Sequence, residues 1–287
     1  MKTLLICHEG ADFDRIGLAR WMASFSDLAG IVVLSETKTR GRQRIRREIK
    51  RVGLLRFLDV LAFRLYYKLN LQWIDQAFEE RVVAHLCNEY HKIPDEVPVL
   101  MSNSVNNPAT EEFIRNCAPD VVIARCKTLI KQDIFDIANT GTFVMHPGMC
   151  PEYRNAHGCF WALANDDINK VAMTLLKIDR GVDTGPTYGY YTYNFNEVTE
   201  THTMIQARTV LDNLDAIAAK LEQVHLGTAE TVDTSGRPSD TWGQPWSTKY
   251  FRWKRQARLR AAQGVLPKPT PIDSLGSSKQ TTKLTMS

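Results

Sequence analysis

Asp120-Val121-Val122-Ile123-Ala124, followed after a polar stretch by Thr142-Phe143-Val144-Met145-His146-Pro147-Gly148, decides how the chain folds. Both are short runs of β-branched and apolar residues, bounded by residues that break regular structure. Neither shows the strict alternation of a half-exposed strand, so each reads as a strand buried on both faces. Proline after His146 ends the ladder there, and Gly148 lets the chain turn. Working outward, Leu4–Cys7, Ile31–Leu34, Val97–Met101, Val171–Ile178 and Tyr188–Tyr193 read as further strands. Helical spacing occupies Ile16–Ser26, about Arg42–Glu89 with a break near Asn70, Ala109–Asn116, Gly158–Ala164 and Thr203–Val224. Apolar strands alternating with helices predict an α/β fold with a mostly parallel sheet and helices on both faces. Ligands of such sheets bind at the carboxyl ends of the strands.

The chain has 287 residues, 44% of them hydrophobic and 24% charged, with a formal net charge of +4. That balance excludes a disordered chain, a collagen-like rod and a coiled coil. The 6 cysteines form no C-x-x-C pair, so no zinc ribbon is expected and no metal ligand set is assigned. No stretch approaches the ~20 uncharged residues of a membrane span. The start, Met1-Lys2-Thr3-Leu4-Leu5-Ile6-Cys7-His8-Glu9, is too short in apolar length for a secretory leader, so a cytoplasmic protein is expected. We divide the chain into a domain over 1–230, with a basic helical insertion at about 36–95, and an extension over 231–287 with a basic helix and a polar tail.

The chemistry-bearing residues cluster between Thr142 and Pro186. His146 closes a buried strand, and imidazole is the side chain best suited to move a proton near neutral pH. Cys150-Pro151-Glu152-Tyr153-Arg154-Asn155-Ala156-His157-Gly158 is a polar loop leading into a helix. Ile178-Asp179-Arg180-Gly181-Val182-Asp183-Thr184-Gly185-Pro186 is a Gly-rich acidic loop after another strand. A carboxylate from that loop could orient and charge His146. The residues alone leave a second reading open: a hydrogen-bonded structural histidine, and D-T-G as turn chemistry.

The combination H-P-G-x-x-P-x-Y-R-x-A-H, then W-A-L, then D-x-G-V-D-T-G-P resembles the folate-dependent formyltransferase family, whose members include glycinamide ribonucleotide, methionyl-tRNA and sugar-amine formyltransferases. Pro119–Ala124 matches the family's strand before its folate loop. The resemblance is carried by about 100–193 and more weakly by 1–35. It implies a Rossmann-like sheet and transfer of a formyl group from N10-formyltetrahydrofolate to an amine. It places His146 and Asp183 at the catalytic histidine and aspartate. Lys127, Thr128, Leu129 and Ile130 fall on the segment whose backbone holds the pteridine; Ile178, Asp179 and Arg180 fall on the loop that closes over it.

One position departs from the family. Its usual N-x-H is here Val144-Met145-His146, and valine cannot donate the hydrogen bond that asparagine gives the formyl oxygen. A lost oxyanion donor typically costs ~10²–10³ in rate. Asn155 stands where the family usually has glycine, and Asn155 or His157 is our candidate for a replacement donor. A small-molecule amine acceptor is expected, such as an amino sugar, because 231–287 lack the strands of the β-barrel that transfer-RNA formyltransferases usually carry. Two alternatives stand beside this: a formyltetrahydrofolate hydrolase, and a catalytically impaired folate-binding protein.

Two basic segments complete the reading. Lys38–Arg56 carries Arg42, Arg46 and Lys50 as a cationic stripe, and Ile45, Ile49 and Val52 as an apolar one. It suits either a polyanion contact or a solvated helix face, of which we favour the second. Lys249–Arg260 interleaves Tyr250, Phe251 and Trp253 with cations, and is read as a terminal helix docked by its aromatics. No oligomeric state is implied.

Overall fold

A computed structural model describes residues 1–35, 45–46 and 48–264. Its strands are β1 (Lys2–His8), β2 (Asp27–Leu34), β3 (Val99–Ser102), β4 (Val121–Ala124), β5 (Gly141–His146), β6 (Arg154–Asn155), β7 (Met173–Lys177), β8 (Thr187–Tyr191) and β9 (Thr241–Trp242). Seven of them form one sheet in the order β3-β2-β1-β4-β5-β7-β8, while β6 and β9 pair separately. The pairs from β3 through β5 are parallel, and β7 and β8 add antiparallel strands at one side. The sheet is therefore mostly parallel, with the Rossmann-like character expected of it.

The helices are α1 (Ala19–Phe25), α2 (Leu54–Tyr66), α3 (Gln72–Glu89), α4 (Pro108–Cys117), α5 (Gln132–Phe135), α6 (Gly158–Ala164), α7 (His202–Leu211), α8 (Leu214–His225) and α9 (Ser247–Ala262). One sheet face presents Leu5, Cys7, Ile123, Phe143 and Met145 to α1, α3 and α8. The other presents Leu4, Ile6, Val122 and Ala124 to Ile114 of α4 and to Ile134 and Phe135 of α5. A third cluster joins Phe63 of α2, Phe160 and Trp161 of α6, and Tyr250 and Trp253 of α9. The period-2 geometry of a strand makes this division: every second residue of β4 and β5 faces the same layer.

Several boundaries differ from the sequence reading. The helical stretch expected from Ile16 begins earlier, with a π-helical turn over Phe13–Leu18 that leads into α1. β2 starts at Asp27 rather than Ile31: Asp27, Leu28 and Gly30 pair with β1 through their main chain, and the register skips Ala29 in a bulge. The long helix expected over Arg42–Glu89 breaks at Gly53, whose φ of 79° is left-handed, and again in the π-helical turn Tyr67–Leu71, which contains the expected break at Asn70. The single helix over Thr203–Val224 is two: Asn213 leaves helical geometry at φ −128°, its N–H bonds Val210 O at 3.0 Å, and its side-chain amide donates to Thr192 O at 3.0 Å and Thr209 O at 3.1 Å. Of the basic stripe, Arg42 lies outside the described residues, as do Lys38, Arg40, Arg44, Arg47 and the tail after residue 264. Arg46 and Lys50 are exposed. Tyr250 and Trp253 dock α9 as expected, but Phe251 stays half exposed.

His202 begins α7 inside a ring of Phe63, Phe160, Tyr67 and Tyr250. Burial, helped by His157 and Lys254, holds its pKa at about 3 against an ordinary 6.5. The unfolded chain therefore binds a proton here that the folded one refuses. Its contribution to stability is complete above pH 6.5 and is lost as pH falls toward 3. Thermal unfolding followed from pH 7 to pH 4 will show a falling Tm, and the fall will be shallower in His202→Phe. Asp212, raised to about 6 by burial, acts in the opposite direction but is common to both proteins. Parallel profiles for the two proteins would refute this assignment.

Candidate active site

β5 carries His146 to the carboxyl end of the sheet, beside the end of β4. Val144 and His146 share a strand face, as the spacing requires. The loop after β5 then folds back over the strand end, and two glycines make that possible. A Cβ on Gly148 would stand 2.5 Å from Tyr153 O and 2.7 Å from Gly158 Cα; one on Gly158 would stand 2.5 Å from Gly148 Cα. Thr174, opposite His146 on β7, fixes the loop from below by donating to Gly148 O at 2.6 Å and accepting from Cys150 N at 3.0 Å.

The outcome is a histidine gripped from both sides. His146 is 3% exposed in its side chain, and its Nδ1 lies 3.4 Å from Asp183 Oδ2. Its Nε2 lies 2.8 Å from Tyr153 O. A carbonyl only accepts, so Nε2 carries a proton. An acceptor thus faces each ring nitrogen, and the two contacts fix the plane of the ring.

Asp183 is held in turn by the main chain. Its Oδ2 accepts from Asn155 N at 2.8 Å, and Arg154 Nη1 donates to Val182 O at 2.8 Å. Asn155, His157 and Asp183 are all left-handed, with φ of 78°, 55° and 52°. Non-glycine residues in that region cost energy and collect where the surroundings force them. The φ at Asn155 accounts for glycine at this place in the family, and for asparagine as its substitute, since asparagine tolerates the left-handed region best. The Asn155 side-chain amide bonds Trp242 O at 2.5 Å, tying the loop to the C-terminal segment. What Asn155 gives the His146–Asp183 pair is its backbone N–H. His157 is a half-buried ring whose pKa burial, with Lys127 and Arg64, pushes down to about 4, so it is neutral at pH 7.

The expected donor-binding residues flank this pair. Lys127 N donates to His8 Nε2 at 3.1 Å, joining the ends of β1 and β4. Cys126 Sγ donates to Thr128 O at 3.5 Å. Leu129 is exposed, and Ile130 is buried in the apolar layer against which Ile178 packs. Asn106 clamps the segment by donating to Leu129 O at 2.9 Å and accepting from Lys131 N at 2.8 Å. Asp179 accepts from Gly181 N at 2.9 Å and from the Thr184 hydroxyl at 2.8 Å, and Arg180 donates to Gln132 at 2.9 Å. Sequence reasoning missed Arg125, which follows β4, donates to Met145 O at 2.9 Å and pairs with Asp14 at 2.9 Å. An arginine closing a buried strand was the available signal. It also missed Tyr153, because a carbonyl acts there and not the side chain. Among the described residues no cluster of His, Cys, Asp and Glu could hold a metal ion.

Replacing Asn155 tests the backbone argument. Asn155→Gly keeps both the φ and the N–H that meets Asp183; Asn155→Ala must hold a left-handed alanine at a cost of about 1–2 kcal/mol. Urea unfolding will find the alanine variant less stable than the glycine variant, although both lose the bond to Trp242. Equal losses would assign the position to its side chain instead.

Comparison with known proteins follows the same segment. Over 91 residues the chain is 33% identical to a methionyl-tRNA formyltransferase of Kosmotoga olearia, covering 31% of this chain and 29% of that one. It is 32% identical over 91 residues to a methionyl-tRNA formyltransferase of Myxococcus xanthus, with the same coverage of 31% and 29%. The match thus spans less than a third of the length of these relatives. The X-ray structure of a sugar N-formyltransferase from Shewanella sp FDAARGOS_354 shares the fold, with a TM-score of 0.51 at 11% identity over 90% of this chain and 88% of that one. No protein-family model matches the chain.

Proposed function

From the premise that this chain is related to the formyltransferase family by its central segment and its fold, we propose that it transfers a formyl group from N10-formyltetrahydrofolate to the amine of a small-molecule acceptor. The observation that carries the reading is the contact of His146 Nδ1 with Asp183 Oδ2, 3.4 Å apart at the carboxyl end of a central strand. The acceptor nitrogen attacks the formyl carbon, and the carbonyl oxygen becomes an oxyanion. His146 stabilises that charge through Nε2–H, the formyl oxygen replacing Tyr153 O as its acceptor. The tetrahedral centre then collapses, the bond to the donor nitrogen breaks, and that nitrogen takes a proton. The proton lost by the attacking amine goes to Asp183 or to a water it holds. Asn155 acts here as a positioning residue for Asp183.

Lys127–Ile130 and Ile178–Arg180 would form the two sides of the donor site. They lie on the loops after β4 and β7, against one apolar layer that contains Ile130 and packs Ile178. Val144 favours a second reading, folate binding with impaired turnover. It shares a face with His146, brings no donor, and leaves an imidazole whose two nitrogens already face protein acceptors.

Incubation with formyl-folate and a panel of amines, followed by mass spectrometry, separates these readings. Formylated amine is expected from the wild type. His146→Ala and Asp183→Asn will lower turnover by roughly 10²–10⁴. Val144→Asn will raise it, by up to ~10² if the missing donor is what limits the rate. Formate released without any amine would identify a hydrolase instead. Tight folate binding with no product from either wild type or Val144→Asn would leave the binding reading.

A further inference from the structure

The outer face of α2 is apolar and uncovered. Leu54, Leu58, Leu61 and Leu65 follow one helical stripe, Leu55 lies beside it, and Leu69 continues it into the following turn. They are 67%, 56%, 42%, 61%, 85% and 67% exposed. Trp73 is exposed at the start of α3. A monomer in water rarely leaves so continuous a stripe bare.

Charge identifies what covers it. Arg56, Arg64 and Lys68 are exposed around this face, whereas Asp59, Glu48 and Asp75 are engaged by protein donors. Asp59 accepts from Ser247 and Thr248, Glu48 pairs with Arg51, and buried Asp75 accepts from Tyr67 and Thr201. α9 packs alongside through the Tyr66–Phe251 and Tyr66–Tyr250 contacts, and its sequence, STKYFRWKRQARLRAA, contains no acid. Phe251, Arg252, Arg255, Arg258 and Leu259 are exposed on it. None of these arginines forms an ion pair among the described residues, whereas Arg260 turns inward to Glu197. Crowding of positive charge shows at Lys249, whose pKa is lowered by burial and then by Arg252 and Arg56.

We propose that α2 and α9 together dock the protein on an anionic lipid surface, with the leucines and Trp73 sunk among the acyl chains and the arginines on the headgroup phosphates. An interfacial helix needs this combination of an apolar face and a cationic rim. A second copy of the chain would satisfy the leucines but oppose cation to cation. A nucleic acid would satisfy the arginines and leave the leucines in water. No described helix is long and apolar enough to cross a membrane.

Sedimentation of the full chain with vesicles tests this. It will bind vesicles containing phosphatidylglycerol and not vesicles of phosphatidylcholine alone, and added salt will weaken the binding. Leu58→Asp with Leu65→Asp will weaken it by more than roughly tenfold without lowering Tm, because both side chains already face solvent. Arg252→Ala and Arg255→Ala will each weaken it about fivefold. Failure of the wild type to sediment overturns the proposal. So does concentration-dependent dimerisation abolished by the aspartate pair without vesicle binding, or binding to RNA that the aspartate pair leaves intact while vesicle binding is absent.

Discussion

Two backbones in contact make the site possible. Gly148 and Gly158 approach so closely that neither tolerates a Cβ, and this contact folds the intervening loop over the end of β5. Tyr153 O consequently reaches Nε2 of His146, and Asn155 N–H reaches Asp183. Without that contact, His146 would be an ordinary strand-terminal histidine and Asp183 a turn residue. Main-chain groups do the positioning, and a backbone held by close packing leaves less freedom than side chains would.

The same loop links the sheet to the C-terminal segment. Asn155 bonds Trp242 O, Trp161 Nε1 donates to Gly243 O at 2.8 Å, and the Trp242 ring stacks on Trp161 and Tyr153. Glu152, one residue before Tyr153, is paired with Arg237 at 2.7 Å. The segment from Arg237 to Gly243 therefore braces the candidate site. Helix α9 continues from that brace into the cationic face beside α2. The chemistry at the strand ends and the apolar stripe outside share one packed framework of α2, α6 and α9.

Strain is concentrated where function is proposed. Three of the left-handed non-glycine residues, Asn155, His157 and Asp183, lie on the two loops that meet at His146. Their cost is carried by the packing of the Gly148–Gly158 contact and by the bonds to Val182 and Trp242. Arg125 adds a further tie, joining the end of β5 to Asp14 under the first helical turn.

The sequence by itself determined which segments are the sheet's buried strands and where β5 ends, because buried strands must be apolar and Pro147 and Gly148 must end β5. It also marked His146 and Asp183, since their residue types at those loop positions carry the resemblance. Only the tertiary structure decided that the two meet, that the Tyr153 carbonyl holds the other ring nitrogen, and that Asn155 contributes its main chain. These depend on a contact between two glycines and on φ values, neither of which leaves a pattern in hydrophobicity. The leucines of α2 show the opposite limit. Their spacing reads as a helix, but whether such a face meets a core or the solvent is settled by what packs against it, and in the folded chain α9 and the aromatic cluster occupy the other side.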